Sequence, residues 1–277
     1  MRFARSTVAA ITVVAALGCV GGGVVSSSSA VAAQQSFQIQ GDPESSSGAT
    51  WTFRGVVDGT RYDLSGVLLK PPGRGPFPAV ILSHGFDGNA AMLASLLGPT
   101  MVSWGLVCIA PNYTHATGVP IGAPGGAREP GASRANVLRA HMTYELLSRL
   151  GYVDTTRVAV HGHSMGAYLD VAVAGAYPHE FRVASQTGGG VRPDYVIEGP
   201  APSPAQARGI VTPFQMHHGE LDTTVPLSFD QRFDAILTAA HVEHQLFVYP
   251  NEGHLQVRAD AAMLTRVRAW YAAHGMF

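Results

Sequence analysis

Short apolar runs recur along the chain and are separated by segments in which apolar residues follow a helical spacing. The apolar runs predict buried strands at 77–83, 106–110, 158–161, 183–185, 213–217 and 245–249. Helices are predicted at 89–104, 135–150, 167–176 and 261–274, and Pro99 is expected to be able to split the first of them. Strands that alternate with helices favour a mostly parallel central sheet with helices on both faces, so an α/β fold is predicted.

A different pattern precedes these elements. Residues 50–57 and 62–70 alternate between apolar and polar side chains, and Asp58-Gly59 lies between them. Alternation around an Asp-Gly turn predicts an antiparallel hairpin, which we expect at one edge of the sheet. The polar stretch 34–48 predicts a flexible N-terminal tail. No internal repeat or interdomain linker follows, so residues 49–277 are predicted to form a single domain.

The first residues have the composition of an export signal. Basic residues precede a stretch of small apolar residues at 8–25, and Ala30-Val31-Ala32 matches an Ala-x-Ala cleavage site. This order predicts a secretory signal peptide at 1–33 that is cleaved on export. Two alternatives stay open, namely an uncleaved membrane anchor and a lipoprotein anchored at Cys19.

Composition narrows the function classes. Hydrophobic residues make up 46% of the chain, as in compact globular proteins, and the formal net charge is −1. A chain so close to neutral offers no electrostatic basis for binding nucleic acid or an anionic membrane surface, and no stable membrane insertion is predicted. Loss of the signal peptide would leave Cys108 as a lone cysteine in an apolar run, which predicts a buried, unreactive thiol.

The candidate chemistry centres on Gly162-His163-Ser164-Met165-Gly166, which joins the predicted strand 158–161 to the predicted helix 167–176. A strand that turns directly into a helix crowds the backbone, and Gly162 and Gly166 lack the side chains that would collide. The serine hydroxyl then projects beyond the strand end, and the start of the helix favours negative charge there. Strand, G-x-S-x-G and helix form the pattern of a nucleophile elbow, so Ser164 is the candidate nucleophile.

A serine hydroxyl needs a base to remove its proton, and the base needs an acid that orients it. In elbow-type hydrolases the three residues occur in the order Ser, Asp, His, the last two after late strands. Asp222 follows strand 213–217 and His254 follows strand 245–249, so they are the candidate acid and base. Because ligands of open α/β sheets bind at the carboxyl ends of the strands, we expect Ser164, Asp222 and His254 to meet there.

Other acidic residues and histidines compete for these roles. Glu220 is an alternative acid, whereas Asp194 and Glu198 lie in a polar insertion at 191–209 that does not suit the topology. The remaining candidates are histidines. His241 and His244 are expected to be exposed, and one of His161 and His163 is expected to be a packing residue. His217, His218 and His161 lack the spacing of a metal site. No metal is predicted.

The oxygen of a tetrahedral intermediate needs two preorganised N–H donors. The backbone N–H of Met165, directly after Ser164, is the first candidate. The second is expected in the loop after strand 77–83, which reads His84-Gly85-Phe86, and the N–H of Phe86 is the candidate there. A simple strand-end turn is the alternative interpretation of His84-Gly85.

Taken together, four motifs resemble those of α/β-hydrolases of the dienelactone-hydrolase and prolyl-oligopeptidase catalytic-domain type. The motifs are Ser83-His84-Gly85-Phe86, Gly162-His163-Ser164-Met165-Gly166, His218-Gly219-Glu220-Leu221-Asp222 and Pro250-Asn251-Glu252-Gly253-His254. The resemblance covers residues 76–277 and implies an α/β-hydrolase fold. The elbow and Leu221-Asp222-Thr223 are also similar to the corresponding segments of secreted cutinases.

The resemblance implies a secreted serine hydrolase that cleaves small carboxylic esters through an acyl-enzyme on Ser164, without a cofactor. A peptidase or amidase of the prolyl-oligopeptidase type and a cutinase-like polyesterase stay open as enzymatic alternatives. A hydrolase-like binding protein is the non-enzymatic alternative, and it predicts that one of the three candidate catalytic residues is missing. All three are present, which favours an enzyme.

Overall fold

Within the computed structural model, which describes residues 36–57, 59–122, 129–193 and 200–277, nine strands form one sheet. The strand order is β1-β2-β3-β5-β4-β6-β7-β8-β9. The described residues all belong to one compact unit. The predicted signal peptide, together with Asp194 and Glu198, lies outside the described residues, and no helix among the described residues is long and apolar enough to cross a membrane.

The antiparallel part of the sheet contains the predicted hairpin. It consists of β2 (Ala49–Val57) and β3 (Thr60–Leu69), and β3 also pairs antiparallel with β5 (Val107–Pro111). Alternate residues of β2 are buried, as period-two alternation predicts for a strand with one face on the core.

The N-terminal stretch is more ordered than its composition predicts. We expected 34–48 to be a flexible tail, but Ser36–Gln40 forms strand β1, which pairs antiparallel with β2. Most of β1 is exposed, which explains its polar composition, yet Phe37 packs edge-on against Trp51 with ring centroids 6.2 Å apart. Backbone pairing at a sheet edge therefore orders a segment that has few apolar side chains of its own.

The remaining strands are parallel and match the predicted apolar runs. They are β4 (Phe77–Ser83), β6 (Val153–His163), β7 (Val183–Thr187), β8 (Phe214–Gly219) and β9 (His244–Tyr249). Strand β6 begins earlier than predicted. Its first residues are partly exposed and mostly polar, so the apolar run that was used for the prediction does not include them. The parallel pairing brings the carboxyl ends of these strands to one edge of the sheet.

Helices cover both faces of the sheet. They are α1 (Ala90–Ser103), α2 (Arg134–Leu147), α3 (Met165–Ala176), the short α4 (Pro204–Ala207), α5 (Leu227–Ala239) and α6 (Ala261–Ala273). Helices α2, α3 and α5 share one hydrophobic core, and α1 and α6 share the other. Successive side chains of β4 alternate between these cores, which is why this central strand is apolar throughout.

Three helices differ from the sequence-based predictions, and one of them is the short α4, which lies in the insertion 191–209. Helix α1 runs through Pro99 without a break, so the expected split is absent, and its N-terminus is capped by the Asn89 side chain, which accepts a hydrogen bond from the Met92 N–H at 2.9 Å. Helix α5 was not predicted. Its buried residues are limited to Asp230, Phe233 and Leu237, so its apolar stripe is too narrow for a clear helical pattern.

Candidate active site

Ser164 lies at a sharp turn between β6 and α3. Its backbone angles are φ 59° and ψ −119°, a conformation that residues with a side chain rarely adopt. The surrounding structure holds this conformation because the Ser164 N–H donates to the carbonyl of Thr187 at the end of β7, at 2.9 Å. A strained backbone that is over-determined by its neighbours is typical of functional sites, and the turn has the geometry that the elbow pattern predicts.

Both glycines of the elbow lie at close backbone approaches. A Cβ atom on Gly166 would come within 1.9 Å of the Ser83 carbonyl oxygen, and one on Gly162 would come within 2.5 Å of the Gly166 carbonyl carbon. No side chain fits at either position. The elbow therefore needs its glycines for contact with the backbone, since neither residue requires a positive φ.

The side chains of Ser164, His254 and Asp222 form a continuous chain of hydrogen bonds. His254 Nε2 lies 2.8 Å from Ser164 Oγ, and His254 Nδ1 lies 2.6 Å from Asp222 Oδ2. The other carboxylate oxygen, Asp222 Oδ1, accepts the backbone N–H groups of Thr224 and Val225, each at 2.8 Å. The structure thus brings together three residues that are separated by up to 90 positions in the sequence.

The environment of Asp222 favours its ionised form. Burial raises the pKa of the carboxyl group, but the hydrogen bonds from His254, Val225 and Thr224 outweigh this effect and hold the pKa below its ordinary value. An ionised carboxylate can only accept hydrogen bonds, so it orients His254 with Nδ1 protonated and leaves Nε2 free to accept the Ser164 proton.

The competing residues are placed elsewhere. Glu220 is exposed, and within the described residues its side chain forms no hydrogen bond or ion pair with His254. His241 is exposed as predicted, but His244 is only partly exposed, because its Nδ1 donates to the Val242 carbonyl at 2.7 Å and its Nε2 lies 3.3 Å from Asp234. The prediction that His244 would be exposed was therefore wrong.

Both histidines that flank the nucleophile are buried. His161 Nδ1 lies 2.7 Å from Ser185 Oγ, and His163 Nδ1 lies 3.0 Å from Thr187 Oγ1. Burial lowers the pKa of His161 to about 4 and that of His163 to about 3, so both rings are neutral near pH 7. The His163 ring packs against His254, with centroids 4.7 Å apart, and thereby forms part of the wall behind the base.

Hydrogen bonds that involve the His84 side chain and buried residues hold the loop His84–Gly88 in place. His84 Nδ1 donates to the Gly85 carbonyl at 2.9 Å, and His84 Nε2 accepts the Tyr113 N–H at 3.1 Å. His115 Nε2 donates to the His84 carbonyl at 3.2 Å. Burial, with the neighbouring His115, lowers the pKa of His84 to about 3, which matches the neutral ring that these bonds require. These buried hydrogen bonds hold His84-Gly85, which leads into a turn closed by the Gly88 N–H on the Gly85 carbonyl at 3.2 Å.

This loop lies directly against the nucleophile. A Cβ atom on Gly85 would come within 3.1 Å of the Ser164 Cβ atom. Among the described residues, no acceptor contacts the N–H of Phe86, and Met165 is the first residue of α3, where an N–H has no partner within the helix. The N–H groups of Phe86 and Met165 are thus not taken up by the backbone, and they stay the predicted donors to an oxyanion at Ser164.

The sequence analysis missed the residues that support this loop. His115 and Asn136 are buried, Asn136 Nδ2 lies 3.4 Å from His115 Nδ1, and Asn112 Oδ1 accepts the N–H of Ala90 at 2.9 Å. The available indication was that polar residues follow β5 directly, at the same edge of the sheet as the other candidates.

A cleft of about 680 Å³ opens above Ser164 and His254. One wall is the loop after β4 and the first turns of α1, and the other contains the segment after His254. The exposed apolar side chains that line the cleft are Phe86, Met92, Leu96 and Leu255. Arg258 adds a cation to this lining. Across the described ranges, no group of three or more His, Cys, Asp or Glu side chains is arranged to hold a metal ion.

Residues 64–271 match the dienelactone hydrolase family. The chain belongs to the dienelactone hydrolase family. It is similar to the acylamino-acid-releasing enzyme of Rattus norvegicus, with 24% identity over 249 residues that cover 76% of this chain and 34% of the relative. The chain described here spans about a third of the length of the curated relatives that it matches.

Solved structures show the same fold. Porphyromonas gingivalis dipeptidyl peptidase 4 is similar with a TM-score of 0.66 and 14% identity, over 86% of this chain and 35% of that chain. An esterase from Thermogutta terrifontis is similar with a TM-score of 0.59 and 14% identity, over 80% of this chain and 92% of that chain. The predicted α/β-hydrolase fold is confirmed.

Proposed function

We propose that this protein is a serine hydrolase that cleaves carboxylic esters of short acyl chains through an acyl-enzyme on Ser164. The observation that carries the proposal is the hydrogen-bond chain from Ser164 through His254 to Asp222 at the floor of an open cleft. The elbow conformation of Ser164 and the rigid loop beside it support the same conclusion.

In the first half of the proposed reaction, Ser164 Oγ attacks the acyl carbon while His254 Nε2 takes the hydroxyl proton. The carbonyl oxygen becomes an oxyanion, for which the N–H groups of Phe86 and Met165 are the proposed donors. The C–O bond to the alcohol then breaks, and His254 returns the proton to the leaving oxygen. Asp222 stabilises the His254 imidazolium that exists between these two proton transfers.

In the second half, a water molecule replaces the alcohol. His254 removes a proton from this water as it attacks the acyl carbon of the Ser164 ester, and the same two N–H groups face the second oxyanion. Collapse of this intermediate releases the carboxylic acid, and His254 protonates Ser164 Oγ. The free enzyme is restored, and ester and water have become acid and alcohol.

The nucleophile is tested with the Ser164→Ala variant and a fluorophosphonate probe, which phosphonylates an activated serine. We expect the wild-type protein to be labelled and to hydrolyse p-nitrophenyl butyrate, and the variant to do neither while it keeps the wild-type circular dichroism spectrum. Labelling that persists in Ser164→Ala would overturn the assignment of the nucleophile.

Peptide or amide hydrolysis is the second candidate, favoured by the similarity to acylamino-acid-releasing enzymes. The same residues serve either reaction, because both proceed through an acyl-enzyme. A p-nitrophenyl ester and an N-acetyl-aminoacyl anilide of the same acyl group separate them. A kcat/KM for the anilide that equals or exceeds that of the ester would replace the esterase assignment with a peptidase.

We also propose that the protein is exported. The proposal is supported by the basic, apolar and small-residue order of its first residues. Intact mass measurement of protein from the medium of expressing cells is expected to show a chain that begins near residues 33 or 34. Full-length protein found only inside the cells would contradict export.

A further inference from the structure

His218 forms a second histidine–aspartate pair directly behind Asp222. It lies near the end of β8, its side chain is completely buried, and its Nδ1 atom is 2.7 Å from Asp230 Oδ2 of helix α5. Its Nε2 atom lies 3.0 Å from the Val225 carbonyl oxygen and 3.5 Å from Asp222 Oδ2. The oxygen Asp222 Oδ2 that accepts from His254 thus also faces the His218 ring.

The hydrogen-bond partners define the protonation of this ring. A backbone carbonyl can only accept, so His218 Nε2 carries a hydrogen that points at the Val225 oxygen. His218 Nδ1 faces a carboxylate, which also accepts. A ring with acceptors at both nitrogens and an adjacent carboxylate is the arrangement of an imidazolium paired with an aspartate.

Burial raises the pKa of Asp230, but the hydrogen bonds from His218, Gly189 and Gln186 oppose this effect and favour the ionised carboxylate that a charged His218 needs. Burial alone lowers the pKa of His218, but the hydrogen bond and the negative charge of Asp230 outweigh it, and the pKa lies above its ordinary value. Asp230 is itself held by Gln186 Nε2, which donates to Asp230 Oδ1 at 2.5 Å, and by a backbone hydrogen bond from Gly189. The end of β7, the end of β8 and α5 therefore all contribute to the pair.

We propose that His218, kept charged by Asp230, is a positioning residue that holds Asp222 in place and controls the charge balance behind His254. The inference rests on the proposed function, because it assigns His218 a role only through Asp222 and His254. The Asp222 carboxylate is then shared between two imidazole rings. The ring of His254 lies on the side of the cleft, and the ring of His218 lies on the side of the core.

Several other ionisable or charged groups lie near the pair or near His254, among them Arg258, which lines the cleft together with His254. The groups that face it from the packed elements are Asp222 and His254 in the loops after β8 and β9, and Tyr168 in α3, whose pKa is raised by burial and by both aspartates. His163, which contacts His254, has its pKa lowered to about 3 mainly by burial and is neutral at the pH of the assay.

Loss of the His218 charge has a predictable sign. A positive charge near Asp222 disfavours the imidazolium form of His254, so its removal makes His254 keep its proton to higher pH. Because His254 must be neutral to accept the Ser164 proton, the acid limb of kcat/KM is expected to move to higher pH. The expected shift is about 0.5 to 1 pH unit, as for one partly compensated charge several ångströms away at an effective dielectric constant of 20.

The experiment compares kcat/KM against pH for the wild-type protein, His218→Gln and Asp230→Asn. Both variants remove the positive charge from His218, the second because the ring loses its counter-ion. Both are therefore expected to shift the acid limb upward, and to lower kcat at the optimum because Asp222 is held less firmly. Asp230→Asn decides the question if His218→Gln fails to fold.

His217→Gln is the matched control. His217 is the neighbouring residue in β8, is equally buried, and has hydrogen bonds to Tyr249 Oη at 2.7 Å and Gln215 Oε1 at 2.9 Å. Burial lowers its pKa well below the ordinary value, so the ring is neutral and its replacement removes no charge. The acid limb of this variant is expected to coincide with that of the wild-type protein.

The outcomes separate this inference from the proposed function. An acid limb that stays in place in His218→Gln or Asp230→Asn, with only a lower kcat, would show that the pair is structural and would overturn the inference. Activity that survives in Ser164→Ala would instead overturn the proposed function. Upward shifts in the variants, with none in His217→Gln and no activity in Ser164→Ala, support both.

Discussion

At the scale of single residues, the candidate site depends on positions where a side chain is absent as much as on those where one is present. Gly166 contacts the backbone at the end of β4, and Gly188 lies under the ring of His254, where a Cβ atom would come within 3.1 Å of Nδ1. Gly188 also has a φ of 60°, which a residue with a side chain adopts only at a cost. The distances between Ser164, His254 and Asp222 therefore depend on how closely the backbone can pack around them.

Gly166→Ala is expected to disrupt the elbow without changing any group of the proposed reaction. The new methyl group would overlap the Ser83 carbonyl oxygen, so α3 must move away from β4. We expect a loss of unfolding free energy of about 1–3 kcal/mol, as for other overpacked sites, and slower labelling by the fluorophosphonate probe. Gly151→Ala is the control, because its Cβ atom would meet no other atom within 4 Å. Equal denaturation midpoints for the two variants would contradict this account.

At the scale of elements, α1 has two roles. Its buried side chains, among them Leu93, Leu97 and Met101, complete one of the two cores. Its first turns also form a wall of the cleft, where Met92 is more than half exposed. The described residues of the loops 111–131 and 188–209 do not line the cleft, so α1 takes this place in the part of the chain that the structure describes.

An open wall of this kind predicts a limited preference for acyl length. A methylene group is worth about 0.8 kcal/mol only when it is removed from water. We expect kcat/KM for p-nitrophenyl esters to peak at acyl chains of roughly two to six carbons, because further carbons remain solvated. Rising kcat/KM out to long-chain esters would contradict this expectation.

The wall itself is tested by Met92→Ala. If the acyl chain packs on α1, this variant should lower kcat/KM for the butyrate ester more than for the acetate ester. Val211→Ala is the control, because Val211 is similarly exposed but does not line the cleft. An equal loss for both esters would mean that Met92 does not contact the acyl chain.

At the scale of the whole molecule, the site is surrounded by buried histidines that are neutral. Burial is the main cause that lowers the pKa values of His84 and His163 to about 3, and those of His115 and His161 to about 4. In the unfolded chain each would have a pKa of about 6.5. As the pH falls below about 6.5, these four histidines therefore bind fewer protons in the folded protein than in the unfolded chain.

This difference predicts instability in acid. Stability from these histidines is complete above about pH 6.5 and is lost as the pH falls towards 3–4, with a slope of up to about 1.4 kcal/mol per pH unit for each group. His218 acts in the opposite sense, because its raised pKa contributes stability below about pH 6.5. Since more groups have lowered than raised values among these histidines, we expect the urea midpoint to fall steeply between pH 7 and pH 5.

His161→Asn isolates one of these contributions. Asparagine can keep the hydrogen bond to Ser185 while it removes the titratable ring, so the variant should lose stability less steeply with falling pH. Ser164→Ala, which changes no titrating group, should retain the wild-type slope. A urea midpoint that is equal at pH 7 and pH 5 in the wild-type protein would show that these rings are protonated without unfolding.

The sequence by itself determined the central strands, the elbow and the order of the candidate residues. Apolar runs such as Phe77–Ser83 and Val107–Pro111 are visible because both faces of a central strand are buried. Ser164, Asp222 and His254 could be selected because each follows such a strand, and the strand ends lie at one edge of the sheet. These are local patterns, and the rules that connect them to topology are general.

Only the tertiary structure decided what surrounds these residues. The polar strand Ser36–Gln40 is ordered by pairing with β2, and α5 is held by a narrow buried stripe, so neither has a strong pattern of its own. The support of the His84 loop by His115 and the contact of His218 with Asp230 join segments that lie 31 and 12 positions apart in the sequence. Buried polar groups are stabilised by the partners that the fold brings to them, and those partners become known only when the chain is folded.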